Sequence, residues 1–255
     1  MPLEIVTLPC RTDNYAFLIH DAASGETAVV DVPEAAPISA ALKERGWTLS
    51  HVLLTHHHGD HVEGLSELLA EHPAKVVGAR ADRARLPPLD VELSEGDTIT
   101  IGGETAQVLD VSGHTVGHIA FYFPQTGAAF TADSLMALGC GRVFEGTPEM
   151  MWDSLSKLAA LPPETVICSG HEYTLNNGRF ALTVDPENPA LKERVEKVQA
   201  ARDANRPTVP STLSEELATN PFLRGHDSAI QRTIGMEGAD PAQVFAEVRR
   251  RKDNF

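Results

Sequence analysis

The sequence has few cysteines and no long apolar run, and each shortage excludes a class of protein. Its three cysteines, Cys10, Cys140 and Cys168, are widely spaced and form no Cys-x-x-Cys pair. This argues against a zinc ribbon or a redox motif and suits a reducing compartment. No stretch approaches the roughly 20 consecutive apolar residues of a membrane helix, and residues 1–10 lack the pattern of a signal peptide. We therefore expect a cytoplasmic protein without a membrane segment.

Basic residues are also scarce. The 255 residues contain 21 Lys and Arg against 36 Asp and Glu, a formal net charge of −15. The field of such a chain repels polyanions, which argues against nucleic acid and anionic lipid as partners. The run Arg249-Arg250-Arg251-Lys252 is exceptional on this background. By itself it fits either a solvated helix end or a site for a small anion.

The distribution of apolar residues predicts two regions that meet near residue 170. Residues 1–170 contain short β-branched runs separated by Gly, Asp and Pro, as expected for sheets with a few helices between them. Residues 171–255 show helical spacing, for example at Leu191, Val195 and Val198. Further helices are predicted over 37–45, 61–71 and 148–161. We expect an α+β protein with two mixed sheets flanked by helices and a C-terminal helical domain.

The strongest signal is the segment Thr55-His56-His57-His58-Gly59-Asp60-His61, which follows the apolar run 51–54. His56 and His58 lie two residues apart, so on an extended chain their rings project to the same side and can meet one ion. His57 then points the other way. Asp60 and His61 lie at the start of a predicted helix and can approach the same cavity from another direction. Imidazole and carboxylate together favour zinc, iron or manganese over calcium or magnesium.

Three further segments place a His or an Asp directly after an apolar run and a small residue. They are Ser112-Gly113-His114-Thr115, Thr131-Ala132-Asp133-Ser134 and Ser169-Gly170-His171-Glu172. The repeated arrangement predicts that His114, Asp133 and His171 meet at one edge of a sheet sandwich. Asp133 is the natural bridge, because a carboxylate can span two cations about 3.5–4 Å apart. A hydroxide shared by two cations is the expected nucleophile at neutral pH.

These segments, in this order, resemble the metallo-β-lactamase superfamily and, within it, the hydroxyacylglutathione hydrolases or glyoxalase II family. The resemblance covers nearly the whole chain and implies an αββα sandwich that holds two divalent metal ions, zinc being expected and iron or manganese the alternatives. It implies that one ion is bound by His56, His58 and His114, the other by Asp60, His61 and His171, with Asp133 as the bridge. Asp60 and Asp133 are the expected catalytic residues. Asp31 resembles a family aspartate near the site, and His118 is expected to support the site without binding metal.

Three segments resemble the glutathione-binding elements of this family. They are Gly139-Cys140-Gly141-Arg142, His171-Glu172-Tyr173-Thr174-Leu175-Asn176-Asn177 and Arg249-Arg250-Arg251-Lys252-Asp253-Asn254-Phe255. The resemblance implies that Arg142, Arg249 and Lys252 pair with the carboxylates of glutathione, and that Tyr173 and Asn177 hydrogen-bond its peptide portion. Two positions depart from the family: Arg142 replaces a lysine, and Phe144 stands where a tyrosine is common. We expect one hydroxyl contact to be missing.

The implied reaction is hydrolysis of S-D-lactoylglutathione to D-lactate and glutathione, the second step of methylglyoxal detoxification. We expect the protein to be a monomer. A glutathione persulfide dioxygenase is the first alternative, and the long C-terminal region with its basic end disfavours it. A lactonase or β-lactamase would not use the glutathione-like segments. A non-catalytic binding module is disfavoured because all seven ligand positions are filled.

Overall fold

The computed structural model describes residues 2–255, which form two compact units. The first contains residues 2–110 and Val116–Ala132, and the second contains Val111–Thr115 and Asp133–Phe255. Over the described residues, no helix has both the length and the apolar character needed to cross a membrane.

The first unit is built on a six-stranded mixed sheet. Its strands are β1 (Glu4–Cys10), β2 (Asn14–His20), β3 (Glu26–Val30), β4 (Thr48–Leu53), β5 (Lys75–Ala79) and β6 (Val91–Leu93). The first three strands pair antiparallel and β3 to β6 pair parallel. Helix α1 (Ala35–Arg45) forms the crossover that the parallel pair β3 and β4 requires. Strand β2 is buried along its whole length, in agreement with its nearly continuous apolar sequence.

A second, antiparallel sheet in the same unit packs on the first. It contains β7 (Thr98–Ile101), β8 (Glu104–Asp110), β9 (Ile119–Phe123) and β10 (Ala128–Ala132), which pair in chain order. Phe130 of β10 meets Phe17 of β2 edge-on, with ring centroids 5.6 Å apart. It also meets Phe123 of β9 at 5.8 Å. Each such buried ring contributes roughly 1.5–3 kcal/mol. The contact between Phe130 and Phe17 joins the two sheets, and the contact between Phe130 and Phe123 joins neighbouring strands of the second sheet.

The single helix predicted over 61–71 is wrong, because the structure divides it into two. Helix α2 (Gly59–Val62) and helix α3 (Leu65–Glu71) are separated at Gly64. A Cβ atom at Gly64 would lie 2.8 Å from the backbone nitrogen of Ala35 and 2.9 Å from the Cα of Glu34. The backbone therefore packs directly on the start of α1, and the chain turns there. Apolar spacing alone gives no sign of this contact. A single 3₁₀ turn, Arg80–Asp82, follows β5.

The second unit is mainly helical, and most of its helices lie in residues 171–255, where a helical domain is predicted. Its strands are short: β11 (Leu135–Met136), β12 (Gly139–Cys140), β13 (Val166–Ser169) and β14 (Ser211–Thr212). Its helices are α4 (Pro148–Ala159), α5 (Thr174–Val184), α6 (Pro189–Asp203), α7 (Leu213–Thr219), α8 (Ser228–Ile234) and α9 (Pro241–Asp253), with a 3₁₀ turn at Pro221–Leu223. Strands β11 and β12 form an antiparallel hairpin, and β13 pairs antiparallel with β14.

Helix starts in this unit follow from local sequence. Thr147 caps α4 by accepting a hydrogen bond from the Met150 N–H at 3.2 Å, and Pro148 occupies the first turn, where its missing N–H costs nothing. Asn188 caps α6 in the same way, accepting from the Leu191 N–H at 3.2 Å. The predicted start of α4 at residue 148 is confirmed, and its cap explains that start.

Candidate metal centre

The histidine-rich loop of the first unit begins where β4 ends and runs into α2. Thr55 and His56 are fully buried. The Nε2 atom of His56 lies 3.2 Å from the Nδ1 atom of His58. Two imidazole nitrogens that bind one ion at ~2.0–2.1 Å in tetrahedral geometry stand about 3.3 Å apart, so this pair has the spacing of ligands to one cation. His57 points elsewhere, with its Nδ1 atom 2.8 Å from Oδ2 of Asp82.

A buried carboxylate orients His61. The Nδ1 atom of His61 lies 2.8 Å from Oδ2 of Asp31, an arrangement that leaves the Nε2 lone pair for a metal. Thr55 fixes Asp31 in turn, because its N–H donates to Oδ1 at 2.9 Å and its hydroxyl donates to Oδ2 at 2.8 Å. Asp31, His56 and His61 are close enough together to hold an ion. Both oxygens of Asp31 already accept these hydrogen bonds, so Asp31 positions His61, as expected from the sequence.

Asn14 orients Asp60, and the sequence analysis did not identify it. The Nδ2 atom of Asn14 donates to Oδ2 of Asp60 and to its backbone oxygen, each at 3.1 Å. Oδ2 of Asp60 lies 3.9 Å from Nε2 of His61. Asn14 is only 4% exposed at the start of β2. A buried amide at the end of an otherwise apolar strand was the available signal, because such a group needs a polar partner.

His118 supports the plane of the His56 ring. The two rings stack nearly parallel, with centroids 4.6 Å apart and an interplanar angle of 11°. The next residue, Ile119, donates its N–H to the Thr55 oxygen at 3.0 Å. His118 is fully buried, and its Nδ1 atom lies 3.1 Å from the Ile119 oxygen. The start of β9 is thereby joined to the histidine-rich loop by a backbone hydrogen bond and a ring stack.

The second unit brings His114, Asp133 and His171 together. Oδ2 of Asp133 lies 3.4 Å from Nε2 of His114 and 3.3 Å from Nε2 of His171. The three residues are 4–5% exposed. Each of these distances equals the separation of two donor atoms bound to the same tetrahedral cation. One carboxylate oxygen and two imidazole nitrogens together suit a divalent transition metal.

The loop after β12 fixes the His114 ring. The Nδ1 atom of His114 lies 2.7 Å from the Arg142 oxygen, which leaves Nε2 as the ligand atom. Gly141 makes this approach possible. A Cβ atom there would lie 2.0 Å from the Asp133 oxygen and 2.8 Å from His114 Nδ1, so any side chain at this position would displace both candidate ligands.

Comparisons with known proteins identify the family. The model of the metallo-beta-lactamase superfamily matches residues 12–171, and the model described as the hydroxyacylglutathione hydrolase C-terminus matches residues 172–255. A hydroxyacylglutathione hydrolase of Cereibacter sphaeroides is 65% identical over 255 residues, which is the full length of both chains. The chain belongs to the hydroxyacylglutathione hydrolase family.

Solved structures agree on the fold. The B3 metallo-beta-lactamase BLEG-1 is similar with a TM-score of 0.66 and 20% identity, over 86% of this chain and 99% of that one. The protein TTHA1623 in a di-iron-bound form gives a TM-score of 0.62 and 27% identity, over 86% of this chain and 100% of that one. This hydroxyacylglutathione hydrolase family member therefore has the metallo-β-lactamase fold with a C-terminal helical domain. Its His and Asp clusters are those of a divalent-metal-dependent hydrolase.

Three exposed side chains, those of Arg142, Phe144 and Tyr173, lie beside candidate ligands of the second unit. The exposed Tyr173 side chain stacks on His171 at 4.6 Å with an interplanar angle of 7°. Phe144, 60% exposed, lies 5.3 Å from the His114 ring. The Arg142 guanidinium lies 5.9 Å from the Phe144 ring. These side chains form an aromatic and cationic surface next to the candidate ligands.

Asn177 and Arg249 instead contact the protein's own backbone. Asn177 is buried and donates from Nδ2 to the Ala137 oxygen at 3.1 Å. Arg249 is also buried and donates to the Cys140 oxygen at 2.9 Å. It is paired with Asp253 at 2.8 Å. Each therefore has a partner within the chain before any substrate arrives.

Lys252 and the arginines beside it have different surroundings. Arg250 and Arg251 both pair with Glu247, at 2.7 and 2.8 Å, and these bonds lower the pKa of Glu247 to about 2. The ammonium of Lys252 lies 3.3 Å from the Asn176 oxygen and 5.0 Å from the centre of the Phe255 ring. Burial, together with the nearby charge of Arg249, lowers the pKa of Lys252 to about 8. Lys252 thus keeps its charge at neutral pH and loses it in mild alkali.

The three cysteines are free and buried. Burial raises the pKa of the Cys10 and Cys140 thiols to about 11 and raises that of Cys168 as well. A thiol nucleophile requires a lowered pKa and access to solvent, so none of the three suits catalysis.

Proposed function

We propose that this protein hydrolyses S-D-lactoylglutathione, and related S-2-hydroxyacylglutathione thioesters, to the free hydroxy acid and glutathione. The observation that carries the proposal is the full-length match at 65% identity to a hydroxyacylglutathione hydrolase, with every metal-ligand position filled. In the reaction the oxygen of water bonds to the acyl carbon and the carbon–sulfur bond breaks. The departing thiolate takes one proton of the water, the hydroxy acid leaves as its carboxylate, and the second proton is released to solvent.

The seven candidate ligands are divided between two cations. We assign His56, His58 and His114 to one divalent cation and Asp60, His61 and His171 to the other, with Asp133 bridging them. The spacings within each unit support the assignment, since the His56–His58 nitrogens and the contacts of Asp133 to His114 and His171 all lie between 3.2 and 3.4 Å. We propose zinc in both positions, while iron and manganese accept the same ligands.

When bound, the two cations supply a hydroxide at neutral pH and polarise the thioester carbonyl. The chain's own contribution is to hold the ligands rigidly. Asp31 fixes the ring of His61, Asn14 fixes the carboxylate of Asp60, and the Arg142 oxygen fixes His114. Ligands oriented in advance do not have to reorganise as charge develops, which is the main source of electrostatic catalysis.

The glutathione part of the substrate is assigned to the second unit. Arg142, Arg249 and Lys252 are proposed to attract its carboxylates, and Tyr173 and Asn177 to hydrogen-bond its peptide portion. Arg142 and Tyr173 are exposed, and Lys252 is half-buried, so these three can meet a ligand directly. Arg249 is buried and paired with Asp253, so it would have to exchange this partner to pair with a carboxylate of the ligand.

We further propose that the protein is a cytoplasmic monomer in which residues 1–170 form the catalytic domain and residues 171–255 the substrate-binding helical domain. Three free, buried thiols support a reducing compartment. The matches of one family model to residues 12–171 and of the other to residues 172–255 support the division.

The experiment is a thioester assay on purified protein, stripped with a chelator and then reconstituted with zinc. We expect no hydrolysis of S-D-lactoylglutathione by the stripped protein and full recovery with two zinc equivalents per chain. Glutathione persulfide with oxygen, a lactone and a β-lactam serve as comparison substrates. Turnover of one of these, with no cleavage of the thioester by the reconstituted protein, would refute the proposed substrate.

A further inference from the structure

The β11–β12 hairpin, Leu135–Cys140, connects two parts of the candidate site. Asp133 precedes it and Arg142 follows it. The backbone oxygen of Arg142 lies 2.7 Å from Nδ1 of His114. Gly141 closes the hairpin by donating its N–H to the Ser134 oxygen at 3.2 Å. A shift of this short hairpin would therefore move Asp133 and rotate the ring of His114.

Side chains from the C-terminal helices hold the backbone of this hairpin at five points. Asn220, which follows α7, donates to the Met136 oxygen at 3.1 Å and to the Gly139 oxygen at 2.9 Å. Oε2 of Glu216 in α7 accepts from the Leu138 N–H at 2.9 Å. The other two points are the bonds from Asn177 to the Ala137 oxygen and from Arg249 to the Cys140 oxygen.

The residues that hold the hairpin are themselves fixed. Glu216 and Asn220 are fully buried, and Nδ2 of Asn220 also donates to Oε2 of Glu216 at 3.0 Å. Arg194 of α6 pairs with the other oxygen of Glu216 and donates to the Thr219 hydroxyl at 2.7 Å. Buried polar groups that are fully hydrogen-bonded in this way specify one arrangement rather than several.

The hairpin turn requires such support. Leu138 has a φ of 56°, a left-handed conformation that a residue with a branched side chain adopts at a cost. Its side chain is fully buried against Ala181 of α5 and Leu191 of α6. The strained turn is thus held by apolar packing on one side and by the Glu216 carboxylate on its N–H.

We infer that Asn220 and Glu216 are positioning residues for the metal centre, acting through the hairpin on Asp133 and His114. The inference rests on the proposed metal-binding role of those two residues. It gives the helical region a second task besides binding glutathione, and it assigns Asn177 and Arg249 a part in that task.

The test compares Asn220→Ala with Asn188→Ala in the full chain. Asn188 is a matched control: it caps α6 and donates to a backbone oxygen, that of Ala218 at 2.9 Å, but its side-chain hydrogen bonds are to Asp185, Leu191 and Ala218 and none is to the hairpin. Cobalt(II) is the probe, measured by titration against a chelator and by its visible absorption spectrum, with the melting temperature recorded alongside. Should Asn220→Ala not fold, Asn220→Ser keeps one donor and is measured in the same way.

We expect both variants to melt earlier than wild type. Asn220→Ala should bind cobalt about 10- to 100-fold more weakly and show an altered spectrum, whereas Asn188→Ala should match wild type in both. A wild-type affinity and spectrum in the Asn220 variant, or an equal loss in both variants, would overturn the inference. Because cobalt binding is read without substrate, a wild-type protein that binds cobalt but leaves the thioester intact would refute the proposed reaction alone.

Discussion

The two sets of candidate ligands are built in opposite ways. In the first unit, His56, His58, Asp60 and His61 lie within six consecutive residues that run from the end of β4 into α2. The side chains of Asp31 and Asn14 orient two of them, His61 and Asp60. In the second unit, His114, Asp133 and His171 come from separate parts of the sequence. The hairpin next to Asp133 and His114 is held by residues much later in the chain, Glu216 and Asn220. A short motif can thus carry half of a metal centre, while the other half requires the tertiary structure around it.

The largest effect is expected at Asp133, which contacts the other two candidate ligands of the second unit. Asp133→Ala should lower kcat by about a thousandfold or more and reduce the bound metal, since one carboxylate faces two other ligands. Metal analysis and thioester turnover measure this. Asp153→Ala, on the exposed face of α4, is the control and should keep wild-type turnover. Full metal content in the Asp133 variant would show that metal binding does not require Asp133.

A smaller effect is expected at Asp31, which orients a candidate ligand of the first unit. Asp31→Asn replaces an oxygen that faces His61 and the Thr55 hydroxyl, so metal affinity or activity should fall about 10- to 100-fold. Asp82→Asn is the matched control, because Asp82 holds His57, which is not a predicted ligand. Chelator competition gives the affinities. An equal loss in both variants would mean that the loop responds as a whole and that its ligands are not oriented one by one.

The pH dependence tests the substrate side of the second unit. Because the pKa of Lys252 is lowered to about 8, its cation is present below that pH and is lost above it. The kcat/KM for the anionic thioester should therefore fall about tenfold as pH rises through 8, the usual scale of one charged hydrogen bond. Lys252→Arg should move this fall to higher pH. A profile that is the same in both proteins would remove Lys252 from substrate binding.

The smallest effect is expected at Phe144. Phe144→Tyr restores the hydroxyl that the family commonly has, on a ring that is already exposed beside His114. One hydrogen bond is worth about 1 kcal/mol, so KM should fall about fivefold with kcat unchanged. Phe144→Leu, which adds no hydroxyl, serves as the control and should not lower KM. An unchanged KM in the tyrosine variant would place the substrate away from this ring.

What the sequence could predict follows the same division. Strand ends followed by His or Asp identified the candidate ligands, because alternation along a strand and the turn after it are local properties. The break at Gly64 was missed, since it depends on the backbone of Glu34 and Ala35 lying against it. The bond between Glu216 and Leu138 joins residues 78 positions apart, and no periodicity reports such a pairing. Asn177 illustrates the limit: its motif was recognised, but its contact with Ala137 was not.

The buried thiols have a practical consequence for measuring this enzyme. Burial raises the pKa of the Cys10 and Cys140 thiols to about 11 and also raises that of Cys168, so all three stay in the unreactive thiol form at pH 7. Glutathione released by turnover is a free, solvent-exposed thiol. A colorimetric thiol reagent added to the assay should therefore report the product continuously, with negligible background from the folded protein and without inactivating it.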